Sequence, residues 1–368
     1  MADFLDKLSR VVDENRSALL EGLRPEGRPS ALDLGAFVSR HWQALPARSG
    51  AAMRPAYAVD GSLSQIDLDN GSYLIIAQAL CIGQDAFEDS QVDVQVLPPT
   101  TPRPTAARFA DLVQRYRELS LAAEVAAHRL PEGSLLYLDG ALYGLLPQLF
   151  PSAEDEDALR DLPELVLERY LRLMQVARER RIDLVAIAKT SREATHAKIW
   201  LEAGPAPSGA QIPADVSDSG MLQRWTEGRT GLSAPVLLGR WGFTGGSAAL
   251  LEREDLRRAP AIASCFIRLS PWDEVLRVDL PGWQAGDETT LADPMRGRPL
   301  PGGADALSRT VEHLRQDYGG PEVYNALLYS VDREVRLRRQ VAAEVYLPLI
   351  GQMLALPLRP DRSSRRFL

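Results

Sequence analysis

The chain has 368 residues, 45% of them hydrophobic, and its 42 basic residues face 50 acidic ones for a net charge of −8. That apolar content builds a full core for one large globular domain or two ordinary ones. The acidic balance excludes the global positive field that draws proteins onto nucleic acid, so any such contact is local or delivered by a partner. Taken from the N-terminus, Phe4, Leu5, Leu8, Val11, Val12, Leu19, Leu20 and Leu23 recur at near-helical spacing and predict an amphipathic helix over 3–24, ended by RPEGRPS. The same stretch is charged throughout and lacks a signal-peptide core, and no run approaches the ~18 apolar residues of a membrane span, so a soluble, cytoplasmic location is expected. A second helix is predicted over 31–45.

Strands follow at 55–60, at GSYLIIAQALCIG and at VDVQVLPP. The Pro-rich PPTTPRPT then leads into a long helix over 106–130, striped by Phe109, Leu112, Tyr116, Leu119, Ala123, Ala126 and Leu130. A strand at 134–139, an acidic loop SAEDEDALRD, a helix near 160–181 and a strand at 183–191 complete the first half as β-β-β-α-β-α-β. Three strands able to pair as a meander, then alternating helix and strand, predict a ribonuclease H-like α/β fold: a mixed sheet flanked by helices. Residues 203–235 are rich in Gly, Pro and Ser and read as an insertion or poorly ordered excursion. Strands near 236–243, 261–270 and 275–280 come next, then helices at 303–317 and from about 323 onward. The expected division is an N-terminal helical region, 1–50, and one domain over 51–368 with C-terminal helices at about 303–355. Cys81 and Cys265 sit inside apolar runs and read as buried free thiols.

The chemistry concentrates at two strand ends. PAYAVDGS delivers Asp60 onto Gly61 and Ser62, and GSLLYLDGALYG delivers Asp139 onto Gly140. Asp-Gly is also a common turn dipeptide, and either acid alone reads as a turn. On the first and fourth strands of this order, however, the two are neighbours, and a close carboxylate pair persists only if one takes a proton or a divalent cation sits between them. The strands then act as rigid arms for metal ligands, and the glycines let the backbone turn away. A third ligand is expected from the intervening helix, which offers Asp111, Glu118 and Glu124; periodicity does not choose among them, and each also reads as a solvated helix face.

With AVDGS (58–62), LLYLDGALYG (135–144), VAIAKTSR (185–192) and a late Tyr-x7-acid pattern in this order, the chain resembles the NurA nucleases of archaea and bacteria over most of its length. The resemblance implies a DNA nuclease using Mn2+ (or Mg2+), cutting as a 5′ to 3′ exonuclease and single-strand endonuclease. It further implies a homodimer working with a HerA-type hexameric ATPase in double-strand break end resection, DNA repair and homologous recombination. It places metal-binding acids on Asp60 and Asp139 and the helix glutamate on Glu118. YNALLYSVD supplies Tyr324 and Asp332 at the family spacing, although many members carry a proline after the tyrosine and a histidine at the end, where this chain has Asn325 and Asp332. A carboxylate serves a hard cation at least as well as an imidazole.

Lys189, ending the fifth strand, is a candidate phosphate contact or positioner of the attacking water, or a surface lysine at a strand end; Arg192 is a weaker candidate. Phe266 and Arg268 resemble a family strand and read as structural. The histidines His41, His128, His196 and His313 lack zinc-ligand spacing, and GFTGGSAAL lacks the lysine of a phosphate-binding loop. Two other functions fit parts of the sequence: an actin-like or sugar-kinase-type ATPase, using Gly245, Gly246 and Ser247, and a non-catalytic regulator of an ATPase ring.

Overall fold

The protein is described from a computed structural model, which covers residues 2–24, 32–48, 50, 54–149, 159, 161–189, 192–205 and 210–362. The breaker RPEGRPS beyond its first residue, and the acidic loop apart from Leu159 and Asp161, lie outside the described residues. The core of the molecule is a mixed sheet of eleven strands. Its main path runs β1 (Trp42–Gln43), β7 (Gly231–Ser233), β9 (Ile262–Arg268), β10 (Leu276–Pro281), β6 (Asp183–Ala188), β5 (Leu135–Asp139), β2 (Ala56–Asp67), β3 (Tyr73–Gly83) and β4 (Glu88–Leu97), while β8 (Val236–Leu238) joins β9 to β11 (Gly297–Pro299). β2 with β5 and β5 with β6 are parallel; the other pairs are antiparallel. The order β4-β3-β2-β5-β6 is a three-stranded meander followed by two parallel crossovers, the ribonuclease H-like arrangement the sequence predicts.

Each crossover needs a helix, and the apolar stripes supply them. The helix Arg103–His128 (α4, preceded by α1 to α3 at Ala2–Glu14, Arg16–Leu23 and Leu34–His41) begins three residues earlier than predicted because Pro104 is welcome in a first turn. With α6 (Leu162–Glu179, after the short α5, Leu142–Gln148) it buries Phe109, Leu112, Val166 and Leu173 on one sheet face. Beyond α7 (Thr195–Ala203), α8 (Asp218–Trp225) and α9 (Glu254–Arg257), the opposite face is covered by α10 (Ser308–Gln316) and α11 (Ala326–Val335), through Val311, Leu314, Leu328 and Val331. A third small cluster packs Leu337, Ala342 and Leu347 from the C-terminal helical segment on Ile66, Leu74 and Ile76. Both cysteines are free and buried. No helix among the described residues is long and apolar enough to cross a membrane.

Two sequence expectations change. The 203–235 segment contributes α8, which buries Met221 and Leu222, and β7, which pairs with β9, so its described glycines and serines fall largely within short packed elements. The N-terminal helix divides at Asn15 into α1 and α2, and its stripe meets no core: Phe4, Leu5, Leu8, Val11, Val12, Leu19, Leu20 and Leu23 are all exposed.

β10 carries an ion pair inside the sheet layer. Arg277 and Asp279 are almost fully buried, with Nε to Oδ1 at 2.9 Å, and Asp279 also accepts from Ser264 Oγ at 2.5 Å and from the Tyr143 amide at 3.2 Å. Glu193 also reaches Arg277, at 3.4 Å, but it is half exposed, so Asp279→Ala leaves the buried guanidinium poorly compensated and should lose about 3–5 kcal/mol in denaturant unfolding. An unchanged midpoint would show that Glu193 and water suffice for Arg277.

Candidate metal centre

Parallel pairing sets the site. The register matches Val59 with Leu138, so the next residues, Asp60 and Asp139, stand side by side. Asp139 ends β5 as the sequence predicts, but β2 runs on to Asp67 with Asp60 paired to Leu80, so Asp60 lies within its strand and Gly61 makes no turn there. Gly140 turns the chain at a φ of +101°, in the left-handed region that favours glycine, while its amide donates to Ile187 O at 2.9 Å. A third carboxylate arrives from α11, where Asn325 caps the helix by accepting the Leu328 amide at 2.9 Å. This accounts for asparagine where a proline is common: the buried side chain starts the helix that carries Asp332. Carboxylate oxygens of Asp60, Asp139 and Asp332 all lie within 4.8 Å of one another, and this is the one group of three or more such ligands among the described residues.

The charges are strongly coupled. Burial, then Asp139 and Glu118, and finally Asp332, push the Asp60 carboxyl up to about 7, against a stabilising 2.8 Å bond from the Gly61 amide. Three hard oxygen donors, one of them reluctant to ionise alone, suit a small divalent cation.

Glu118 stands beside this group on the α4 side rather than within it. Gln114 donates to its Oε1 and Arg115 to its Oε2, both at 2.7 Å. It occupies the space where residue 61 would carry a side chain: a Cβ on Gly61 would sit 2.5 Å from Glu118 Oε1. The other two helix candidates go elsewhere. Glu124 is exposed and accepts from Gln91 at 2.7 Å, and Asp111 is exposed beside Arg108 and Arg115.

Lys189 donates to Asp139 at 3.1 Å and lies 5.4 Å from the centre of the Tyr324 ring. Burial lowers its proton affinity, but Asp139 more than offsets this and the ammonium is held well above its ordinary range. Tyr324 is raised by burial and by Asp139, and its hydroxyl is buried without a hydrogen-bond partner. Arg192 lines a cavity of about 350 Å3 with Asp139, Glu118, Arg115, Glu193 and Arg277. Sequence reading passed over Gln114, Arg115 and Arg277. The first two were detectable as partners four and three residues before Glu118 on a helix; Arg277 gave no signal, because its role depends on pairing with Asp279.

The remaining candidates are structural. Phe266 is fully buried against His196, and Arg268 holds the Asp273 carbonyl at 3.0 Å. Ser264, His196 and Asp218 form a Ser-His-Asp set, with His196 Nε2 and Ser264 Oγ 3.0 Å apart, yet all three are sealed from solvent and the serine donates to Asp279. That arrangement holds the core and offers no nucleophile to a substrate.

The raised Asp60 pKa fixes a sign. In the metal-free protein the folded state binds its proton more tightly than the unfolded chain, so this contribution to stability is full below about pH 4 and is lost as pH rises through 7. Asp60→Asn mimics the neutral acid. In chelator its melting temperature should match wild type near pH 4 and exceed it by a growing margin up to pH 8; a constant difference across this range would show that Asp60 ionises normally.

The NurA domain model matches residues 54–337. Three solved structures align over nearly the whole molecule. "Crystal structure of NurA" has 13% identity and TM-score 0.57, covering 95% of this chain and 97% of that one. "Crystal structure of NurA with manganese" has 12% and 0.57, covering 95% and 98%. "Crystal structure of NurA bound to dAMP and manganese" has 14% and 0.56, covering 98% and 96%. Among curated protein sequences, none matches. At such low identity the structures speak for the fold, and the domain match spans more than half the chain: the protein belongs to the NurA family of nucleases.

Proposed function

We propose that this protein is a divalent-metal-dependent deoxyribonuclease whose ion, Mn2+ or Mg2+, is held by Asp60, Asp139 and Asp332, with Glu118 completing the set from the α4 side. The observation that carries the proposal is the convergence of three carboxylates within 4.8 Å, with Asp60 pushed up to about 7. A bound ion supplies a Lewis acid for a phosphoryl oxygen and lowers the pKa of a water. Around it, Glu118 is held as a carboxylate facing the cluster by Gln114 and Arg115, at 2.7 Å each. Lys189, fixed by Asp139, sets a positive charge where the phosphate gains negative charge in the transition state. The Tyr324 hydroxyl has a donor to offer a phosphate oxygen or the attacking water.

The wider family role is part of the same proposal: 5′ to 3′ exonuclease and single-strand endonuclease action in the cytoplasm, as a homodimer with a HerA-type hexameric ATPase, during break resection and recombinational repair. A chain of net charge −8 attracts DNA poorly by itself, and a motor that feeds it the strand removes that difficulty. The exposed apolar stripe of α1 and α2 supports a docking role, since helices this short are marginal in water unless a partner covers them.

Asp60→Asn and Asp139→Asn should each lower Mn2+-dependent cleavage of a single-stranded oligonucleotide by ~100-fold or more while the fold survives. Asp332→Ala should be comparably impaired and Asp332→His partly active. Robust cleavage by either asparagine variant at matched metal concentration would remove the assignment. Deleting residues 1–24 should spare cleavage of short strands but abolish ATP-driven degradation with the ATPase or yield a monomer. Unchanged coupling and unchanged mass by light scattering would return the helices to a passive role.

A further inference from the structure

The turn LSPWDEV joins β9 to β10 and ends in a tryptophan held out in water. Trp272 is 85% exposed, more than any other large apolar side chain among the described residues, whereas the other five tryptophans are buried or half-buried. This is not a frayed loop. The Asp273 amide donates to Ser270 O at 3.1 Å and the Ser270 amide to Asp273 Oδ2 at 2.8 Å, while Tyr318 Oη donates to Asp273 Oδ1 at 2.6 Å. From below, the buried Arg268 grips the Asp273 carbonyl and reaches Gln223 Oε1 at 2.8 Å, the same oxygen that accepts the Val275 amide at 3.0 Å. The chain thus fixes the backbone on both sides of an indole ring that touches little of its own protein.

The register says where that ring sits. Arg277 pairs with Ala188, so β10 begins at the edge where β6 ends, the edge that carries Asp60, Asp139 and Lys189. Two strand spacings separate β5 from β10, and with the height of the turn this puts Trp272 on the order of 15–20 Å from the acid cluster. Arg192 lines the same cavity as Asp139. A strand leaving the cluster along this edge toward β10 meets a rigid, exposed aromatic face.

We propose that Trp272 is a stacking platform for an unpaired base of the DNA strand, a few nucleotides from the phosphate being cut. The ligand class is a nucleobase in single-stranded form, because every base has a π-face and a duplex hides it in its own stack. The proposal rests on the nuclease reading above. Trp272 acts in binding and touches no reacting atom.

The test is anisotropy of a labelled twelve-nucleotide thymidine strand with wild type, Trp272→Ala and Trp272→Phe, with Ca2+ replacing the catalytic ion so that binding is read without turnover. The alanine variant should bind about tenfold more weakly and the phenylalanine variant should keep most of the affinity. An abasic twelve-mer with the same phosphates should not distinguish alanine from wild type. Equal binding of the thymidine strand by wild type and alanine overturns the proposal and leaves the ring to a protein partner. So does a phenylalanine variant as weak as alanine, an equal loss on the abasic strand, or no binding by wild type. Mn2+-dependent cleavage by wild type is scored separately, so an inactive enzyme that binds the base condemns the nuclease reading and spares the contact.

Discussion

Mutual repulsion among three carboxylates is the constraint around which this molecule is arranged. Water would let Asp60, Asp139 and Asp332 drift apart; the sheet and α11 do not. Two of the three sit on neighbouring strands where the parallel pairing of β2 with β5 ends, so their spacing is the strand spacing and cannot relax without breaking the sheet. The third is tied by a helix whose first turn is locked by a buried asparagine. Asp60 answers the strain by keeping its proton to about pH 7. Such a site costs stability in order to be ready, as expected where function sets the geometry.

The neighbours of the cluster show what holding it requires. The sheet separates two helix layers, and each supplies one side of the site: Glu118 from the α4 layer, Asp332 and Tyr324 from the α11 layer. Glu118 reaches its place only because residue 61 lacks a side chain, and it stays there because Gln114 and Arg115 hold both oxygens. Glycine here serves close approach to a neighbour, a different use from Gly140, whose backbone conformation itself calls for glycine.

Much of this was legible in the chain. The two acids were visible because Asp-Gly follows an apolar run twice, although only Asp139 ends its strand and β2 continues through Asp60; the strand order followed from the alternation of short apolar runs with a long amphipathic stripe. What could not be read was anything that depended on long-range pairing. Periodicity left Asp111, Glu118 and Glu124 equivalent, since all three lie on one helix; only the packing of α4 over Gly61 separates them. The Arg277–Asp279 pair looked like ordinary alternation in a strand, and 203–235 looked like an excursion because its packed elements are short. The N-terminal stripe was read correctly as amphipathic, yet no property of a helix says what covers it, and the fold leaves it bare.

The chain order of the ligands has a consequence for biosynthesis. Asp60 and Asp139 are made early and on adjacent strands, while Asp332 belongs to α11 and Tyr324 to the residues just before it, nearly two hundred residues later. At roughly 5–20 residues per second, a ribosome needs about 10–40 s to pass from one to the other. Throughout that interval the nascent chain holds the two strand acids without the carboxylate and phenol that complete the centre. The proposed centre therefore stays incomplete until α11 has been made, so the two strand acids face one another in the nascent chain before Asp332 can join them.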